Sequence, residues 1–321
     1  MKPHEQIPLD EIRAAQQRIA GAAIRTPLVR LNLDDTPAEI WLKLETLQPV
    51  NSFKIRGATN LIAQATPDQL AHGVYTSSAG NMAQGVAWNA RRLGLKCTVI
   101  VPEHAPAAKL NAIRRYGAEI IKVPYDEWWD IMTTRYYAPL ADALFIHPSS
   151  DPRVMAGNGT IGLEIVEDLP DLDAVIIPWG SGGLSNGIAS AVRALKPNTK
   201  IYACEVETAA AFAPSLAAGK PQEVSFTPTF VDGMGAKTVL PEMFPLAQKL
   251  LDGSIVLSVK EIADAVRLLV ERNRIVAEGA GAAPVAAALT GKAGNGKVVC
   301  IISGGNIDST KLKKILNGEI P

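Results

Sequence analysis

The chain has 321 residues, with 32 Lys plus Arg balanced by 32 Asp plus Glu and 47% apolar residues. That length admits two domains sharing a cleft or one large α/β unit, and the balanced charge removes the net field that would draw nucleic acid or an anionic membrane. No apolar run approaches the roughly 18 residues of a membrane span, and the polar start Met1-Lys2-Pro3-His4-Glu5-Gln6 lacks a signal peptide's apolar segment, so composition points to a soluble, cytoplasmic protein whose partner is a small molecule.

In chain order, positions 11–23 carry helical spacing in Ile12, Ala15, Ile19 and Ala22, until Thr26-Pro27 breaks it. A strand is expected at 40–44. Strands at 74–76, 97–101 and 119–123 then alternate with helices at 81–93, 107–116 and 127–143, the rhythm of βαβ units around a parallel sheet. After the apolar 144–146, the polar turn 148–152 marks the return to a second layer. There, helices at 159–168 and 184–195 alternate with strands at 174–178 and 201–205. The proline- and glycine-containing stretch 209–245 reads as loop with a short helix; 260–273 and 279–289 read as helices and 298–302 as a last buried strand. Cys97, Cys204 and Cys300 each sit alone in an apolar run, which suits buried reduced thiols better than disulfides or a metal cluster.

Four stretches carry chemistry. In Asn51-Ser52-Phe53-Lys54-Ile55-Arg56-Gly57-Ala58, the small residues after Lys54 let a flat ring approach its amine. Away from bulk water and beside Arg56, that amine's charged form is disfavoured, leaving more of the nucleophile; taken alone, such a lysine reads more readily as an ordinary surface residue on a helix's first turn. Ser78-Ala79-Gly80-Asn81-Met82 lies between a strand and a helix, where backbone N–H groups suit a carboxylate or where Ser77, Ser78 or Asn81 simply caps the helix. Gly180-Ser181-Gly182-Gly183-Leu184 follows a buried strand and opens a helix. That arrangement aims N–H groups and the helix dipole at an anion, or is a tight turn that needs glycine for its backbone angles. Ser303-Gly304-Gly305-Asn306 ends the last strand, and Glu278 heads a helix, where a carboxylate complements the dipole.

In this order and at these separations the stretches resemble the pyridoxal-phosphate enzymes of the tryptophan-synthase-β type (fold type II), and within them the threonine/serine dehydratase and serine racemase family. The resemblance runs from about Arg25 to Asp308. It implies an α/β fold of two parallel-sheet, three-layer domains, 1–48 with 147–321 forming the larger and 49–146 inserted as the smaller, with pyridoxal 5'-phosphate in the cleft between them. By resemblance, Lys54 is the Schiff-base lysine, next to Phe53. Gly180, Ser181, Gly182, Gly183 and Leu184 hold the cofactor phosphate, Asn81 meets its 3-hydroxyl, Ser303 faces its pyridine nitrogen, and Glu278 lies near its ring. Ser78, Ala79, Gly80, Asn81 and Met82 bind the substrate, whose carboxylate the turn grips. The implied reaction is α,β-elimination from a β-hydroxy-α-amino acid to a 2-oxo acid and ammonia, with the freed Lys54 amine removing the α-proton. Relatives are commonly dimers, so a homodimer is expected.

Departures from the family pattern refine this. Ser181 replaces a glycine of the phosphate loop, though a hydroxyl still donates to phosphate. Ala79 stands where racemases carry a second serine as the opposite-face base, which counts against racemisation. β-Replacement enzymes usually carry a T-S-G-N-T turn, which is absent. An inactive cofactor-binding regulatory protein is a further alternative, although Lys54, Asn81 and Ser303 are all present. Many relatives bind a divalent cation through a glutamate, a carbonyl four residues on and an aspartate two further. Here the series is Glu205, Ala209 and Ala211, so no such metal site is expected. Met82 replaces the family's histidine, and Trp179 precedes the phosphate loop where a smaller residue is common. A thioether contacts aromatic rings well but donates no hydrogen bond, which shifts the expected substrate from threonine or serine toward a bulkier one such as 3-phenylserine; the alternative is that Met82 fills core space.

Overall fold

The computed structural model describes residues 1–321, for Ala108 the backbone only. Helix α1, Leu9–Arg18, buries Ile12 and Ala15. It ends short of the expected 23 because Gly21 takes a left-handed φ of 78° and Ala20 bridges to Ala23. Strand β1, Leu28–Arg30, pairs antiparallel with β2, Glu39–Leu44. Helix α2, Lys54–Ala63, follows, then the short α3, Pro67–Leu70, opened by a Thr66–Gln69 capping box.

Next come β3 (Val74–Ser77), α4 (Asn81–Leu93), β4 (Cys97–Pro102), α5 (Ala107–Arg114), β5 (Glu119–Val123), α6 (Tyr125–Thr134) and β6 (Leu144–Phe145), forming a parallel sheet in the order β5-β4-β3-β6. The helix expected to reach 143 stops at Thr134. Arg135 turns left-handed there at φ 61°, and Pro139, which cannot continue a helix, lies in the 3₁₀ turn Ala138–Leu140.

The other sheet is built from both ends of the chain. Helix α7, Pro152–Asp168, begins earlier than 159 because Asp151 caps it, accepting from Arg153 N at 2.8 Å, with Pro152 at the first helical position. Then follow β7 (Ala174–Pro178), α8 (Gly183–Leu195), β8 (Lys200–Val206), α9 (Phe212–Ala218), α10 (Phe244–Leu250), β9 (Gly253–Leu257), α11 (Val259–Leu268), α12 (Gly279–Leu289), β10 (Lys297–Ile302) and α13 (Ser309–Leu316). The sheet order is β1-β2-β10-β7-β8-β9, parallel apart from β1. The segment read as helix to 273 loosens after α11 into a wider π-type turn, Leu269–Asn273, ended by left-handed Arg274. Strands β1 and β9 had no counterpart in the hydropathy pattern.

Alternation along these strands makes three layers. Val175, Ile177, Val299 and Ile301 share a core with Ile12, Ile161, Ile188 and Leu246 on one side of the sheet. Ile176, Cys204, Cys300 and Ile302 share another with Ile262, Val266 and Val285 on the opposite side. Each such side chain contributes about 1.5–3 kcal/mol of burial free energy. In the smaller sheet, Val74, Val99 and Val101 face Leu61 and Val86, while Tyr75, Ile100 and Val123 face Ile131. All three cysteines are buried and free. Carboxyl ends of strands from both sheets converge: Ser78 after β3, Pro102, Pro178 and Ser303 after β10 border one cavity of about 350 Å³, the position where parallel sheets bind ligands.

Candidate active site

Lys54 is the first residue of α2, and the cavity reaches it because that helix start is tied to the end of β10. Phe53 N donates to Ser303 O at 3.0 Å, and Ser52 bridges to Gly304. The Lys54 Nζ donates to Pro148 O at 2.6 Å and lies 5.1 Å from the Phe53 ring centre. Burial brings its pKa down from 10.5 to about 8, against the attraction of Glu278. Arg56 takes no part in that shift, contrary to the expectation from sequence. Its guanidinium points away, to Glu45 and Glu164, because residues two apart on a helix face different sides. The Pro148 carbonyl is set by His147, whose Nδ1 accepts from the N–H of Ser149 (3.0 Å) and of Ser150 (2.8 Å). Burial, with Arg135 and Lys54 nearby, pushes that ring's pKa down to about 3, which keeps it an acceptor.

Gly180, Ser181, Gly182, Gly183 and Leu184 border the same cavity as the lysine. Gly182 has φ 88°, and a Cβ there would stand 2.8 Å from the Trp179 ring; one on Gly183 would stand 2.8 Å from Ser149. Only glycine fits at both. The first N–H groups of α8 have no intrahelical partner and face this loop. Trp179 itself does not border the cavity. Pro178 faces it, so the next residue points to the other side of the strand, where Trp179 stacks on Phe212 with centroids 3.9 Å apart. Its expected part in a substrate pocket is therefore corrected: it supports the loop from beneath.

Ser78, Ala79, Gly80, Asn81 and Met82 border the cavity from the smaller sheet. Asn81 is held at both ends of its amide, with Oδ1 accepting from Asn306 Nδ2 and Nδ2 donating to Glu278 Oε1, each at 2.8 Å. Burial, helped by Asp232, raises the Glu278 pKa to about 7. Gly304 makes room for that carboxyl, since a Cβ there would lie 2.8 Å from Oε1. Ser303 completes the ring of residues.

A family profile described as "PALP: Pyridoxal-phosphate dependent enzyme" matches residues 19–304. The L-threonine ammonia-lyase of Thermotoga maritima is 40% identical over 97% of this chain and 78% of its own length. The chain belongs to the pyridoxal-phosphate-dependent threonine/serine dehydratase and serine racemase family, of fold type II. The catabolic L-threonine dehydratase TdcB of Escherichia coli K12 is 38% identical over 96% of both chains. Maize serine racemase superposes with a TM-score of 0.90 at 32% identity, covering 98% of each chain. This member is accordingly a lyase that uses pyridoxal phosphate. Its own residues fit that group: an amine whose charged form burial disfavours shares the cavity with a glycine turn that leads into the amino end of α8, with room where a Cβ would intrude.

Residues the sequence reading passed over also border the cavity. Tyr125, Trp128 and Met132 reach it from α6, and Asp232 and Gly233 from the loop before α10. The first three recur at i, i+3 and i+7, one face of a helix, a signal available in the sequence. Lys109 Nζ meets Asp232 Oδ2 at 2.7 Å, joining the smaller sheet's α5 to the larger unit across the mouth. Met82 serves both readings offered for it: it is 1% exposed within the core around Ala83 and Val86, and it borders the cavity. Glu205, the one carboxylate of the series weighed from the sequence as a cation site, accepts from Phe212 N (2.7 Å), Ala213 N (2.8 Å) and Ser254 Oγ (2.6 Å).

Proposed function

We propose that this enzyme is a dehydratase (ammonia-lyase) of a β-hydroxy-α-amino acid, releasing water's elements from Cα and Cβ to give, after tautomerisation and hydrolysis, a 2-oxo acid and ammonia. The relatives named as L-threonine ammonia-lyase and L-threonine dehydratase support the reaction class. Lys54 carries the cofactor and moves the α-proton, with Pro148 O holding the amine beforehand. Backbone N–H groups at 79–81 take the substrate carboxylate, the α8 turn takes the phosphate, and Asn81, steered by Asn306 and Glu278, orients the ring. When bound, the cofactor would supply an electron sink next to the substrate's α-carbon. Ala79 offers no second base on the opposite face, which supports elimination over racemisation. Residues 49–146 form the inserted smaller domain, and the enzyme works as a cytoplasmic homodimer on a small-molecule amino-acid substrate, without nucleic acid or membrane partners.

For the substrate, the reading is a β-substituent bulkier than a methyl group, 3-phenylserine being the sharpest candidate. The carrying observation is the wall of Tyr125, Trp128, Met132 and Met82 around the cavity, with the rings of Tyr125 and Trp128 5.7 Å apart. Such surfaces favour an aromatic guest. The test is kcat/KM for L-serine, L-threonine and both 3-phenylserine diastereomers, before and after Met82→His. A 3-phenylserine preference that falls in the variant is expected. A tenfold wild-type preference for threonine, about 1.4 kcal/mol of transition-state binding, overturns the aromatic reading and leaves a threonine/serine dehydratase.

A further inference from the structure

Two residues beyond Lys54, Arg56 is 1% exposed and makes six hydrogen bonds. Its Nε and Nη2 form a fork on Glu45 (2.8 Å each), its Nη1 and Nη2 a second on Glu164 (2.6 and 3.0 Å), and the remaining contacts go to Thr160 Oγ1 and Ile24 O. Lys43 Nζ closes the group, 2.6 Å from Glu164 Oε2. Two cations and two carboxylates thus lie together out of water, and every partner of Arg56 belongs to segments 24–45 or 160–164, outside the stretch that begins the smaller unit.

Buried ion groups of this kind rarely add net stability over well-packed apolar residues. What a doubly forked guanidinium supplies is direction, because its donors lie in one plane at fixed angles. The backbone around it allows no slack: a Cβ on Gly157 would lie 2.5 Å from Arg56 O, and one on Gly57 2.7 Å from Val154 Cγ1. Helix α2 is therefore pressed onto α7 and fixed in rotation by Arg56, with Lys54 on its other face.

We propose that Arg56 is a positioning residue for Lys54: through Glu45 and Glu164 it sets the rotation of the first turn of α2, and so the place of the amine between Pro148 O and the phosphate turn. The proposal rests on Lys54 carrying the cofactor.

The test is Arg56→Lys, which keeps the charge but has at most three donors and no plane. Far-UV circular dichroism and Tm report folding. The visible absorbance of the lysine-bound cofactor, its pH midpoint, the cofactor dissociation constant and the split between kcat and KM report the amine's placement. We expect a folded protein whose kcat falls about a hundredfold with KM little changed, as for a displacement near 1 Å, together with weaker cofactor binding and a moved pH midpoint. A variant of lower Tm that keeps wild-type cofactor affinity, midpoint and kcat overturns the proposal and leaves Arg56 purely structural. Should Arg56→Lys not fold, Glu45→Gln, which keeps the shape and one fork intact, is read by the same criteria. Wild-type protein whose borohydride-reduced adduct maps to another lysine removes the premise instead, and is told apart because it needs no variant.

Discussion

Two buried charge clusters flank the first turn of α2, and they are built on opposite rules. On the α7 side, Arg56, Lys43, Glu45 and Glu164 pair charge for charge; burial opposes ionisation of Glu164, yet Arg56 and Lys43 pull its pKa below the usual carboxylate range. On the cavity side, half-buried Lys54 and buried Glu278 form no salt bridge among the described residues. Burial drives the amine down to about 8 and the carboxyl up to about 7, and the attraction of Glu278 acts against the fall in the amine. The matched cluster answers each charge with an opposite one, whereas the unmatched one leaves both groups near their titration points. Groups poised in this way are what proton transfer requires, and saturated ones are what positioning requires.

The largest effect expected from breaking this contrast comes from Lys54→Ala. Activity and the visible absorbance of the lysine-bound cofactor should both vanish, while the apoprotein keeps its fold. The sign of the stability change sharpens the point. A lysine whose folded pKa lies below its ordinary 10.5 destabilises the folded state at low pH and stops doing so as pH rises from 8 to 10.5. The variant should therefore be no less stable than wild-type apoprotein below pH 8, measured by urea unfolding. A variant that keeps a borohydride-reducible adduct places the anchor on another lysine.

Glu278→Gln is expected to act through pH rather than through outright loss. The wild-type carboxyl binds its proton more tightly when folded, so its contribution is full below pH 4.5 and is lost as pH climbs through 7, on the order of 3 kcal/mol over that window. The amide, which still accepts from Asn81, should flatten that decline in apoprotein unfolding curves. It also removes the attraction that raises the Lys54 pKa, so the amine's midpoint, followed by the pH dependence of its modification in apoprotein, should move below 8. An unmoved midpoint would mean that the two groups are independent.

The contrast was half legible in the sequence. The four motifs named the residues that now surround one cavity, since glycine and serine at strand ends leave a clear mark. The direction of Arg56 was misread because adjacency in sequence was taken for adjacency in space, although a helical start at Lys54 already sends position 56 to another face. Trp179 failed for the matching reason in a strand, where neighbours alternate sides. The aromatic face of α6 was missed from the opposite cause: Tyr125, Trp128 and Met132 show helical spacing, but spacing alone does not say that the face looks onto a cavity and not onto a sheet. Nor does hydropathy show that Glu45 and Glu164, more than a hundred residues apart, meet on one guanidinium.

The smallest effect expected concerns a further buried carboxylate, Glu205. It has no cation beside it, and burial raises its pKa, yet two backbone N–H groups and the Ser254 hydroxyl all donate to it. Those donors bind the start of α9 to β8 and leave the oxygens engaged within the protein. The residue two after Ala209 is Ala211, whose methyl provides no oxygen, so a hard divalent cation would find one carboxylate where it needs several ligands. Incubation with a chelator should therefore leave both kcat/KM and Tm where they were. Glu205→Gln should lower Tm because the amide has a single oxygen and leaves one of the two backbone N–H donors without an acceptor, a cost of about 1–3 kcal/mol, and by the same amount with or without added Mg²⁺. A large loss of activity on chelation, restored by the cation, would instead make Glu205 a metal ligand and would move it from the saturated class into the functional one.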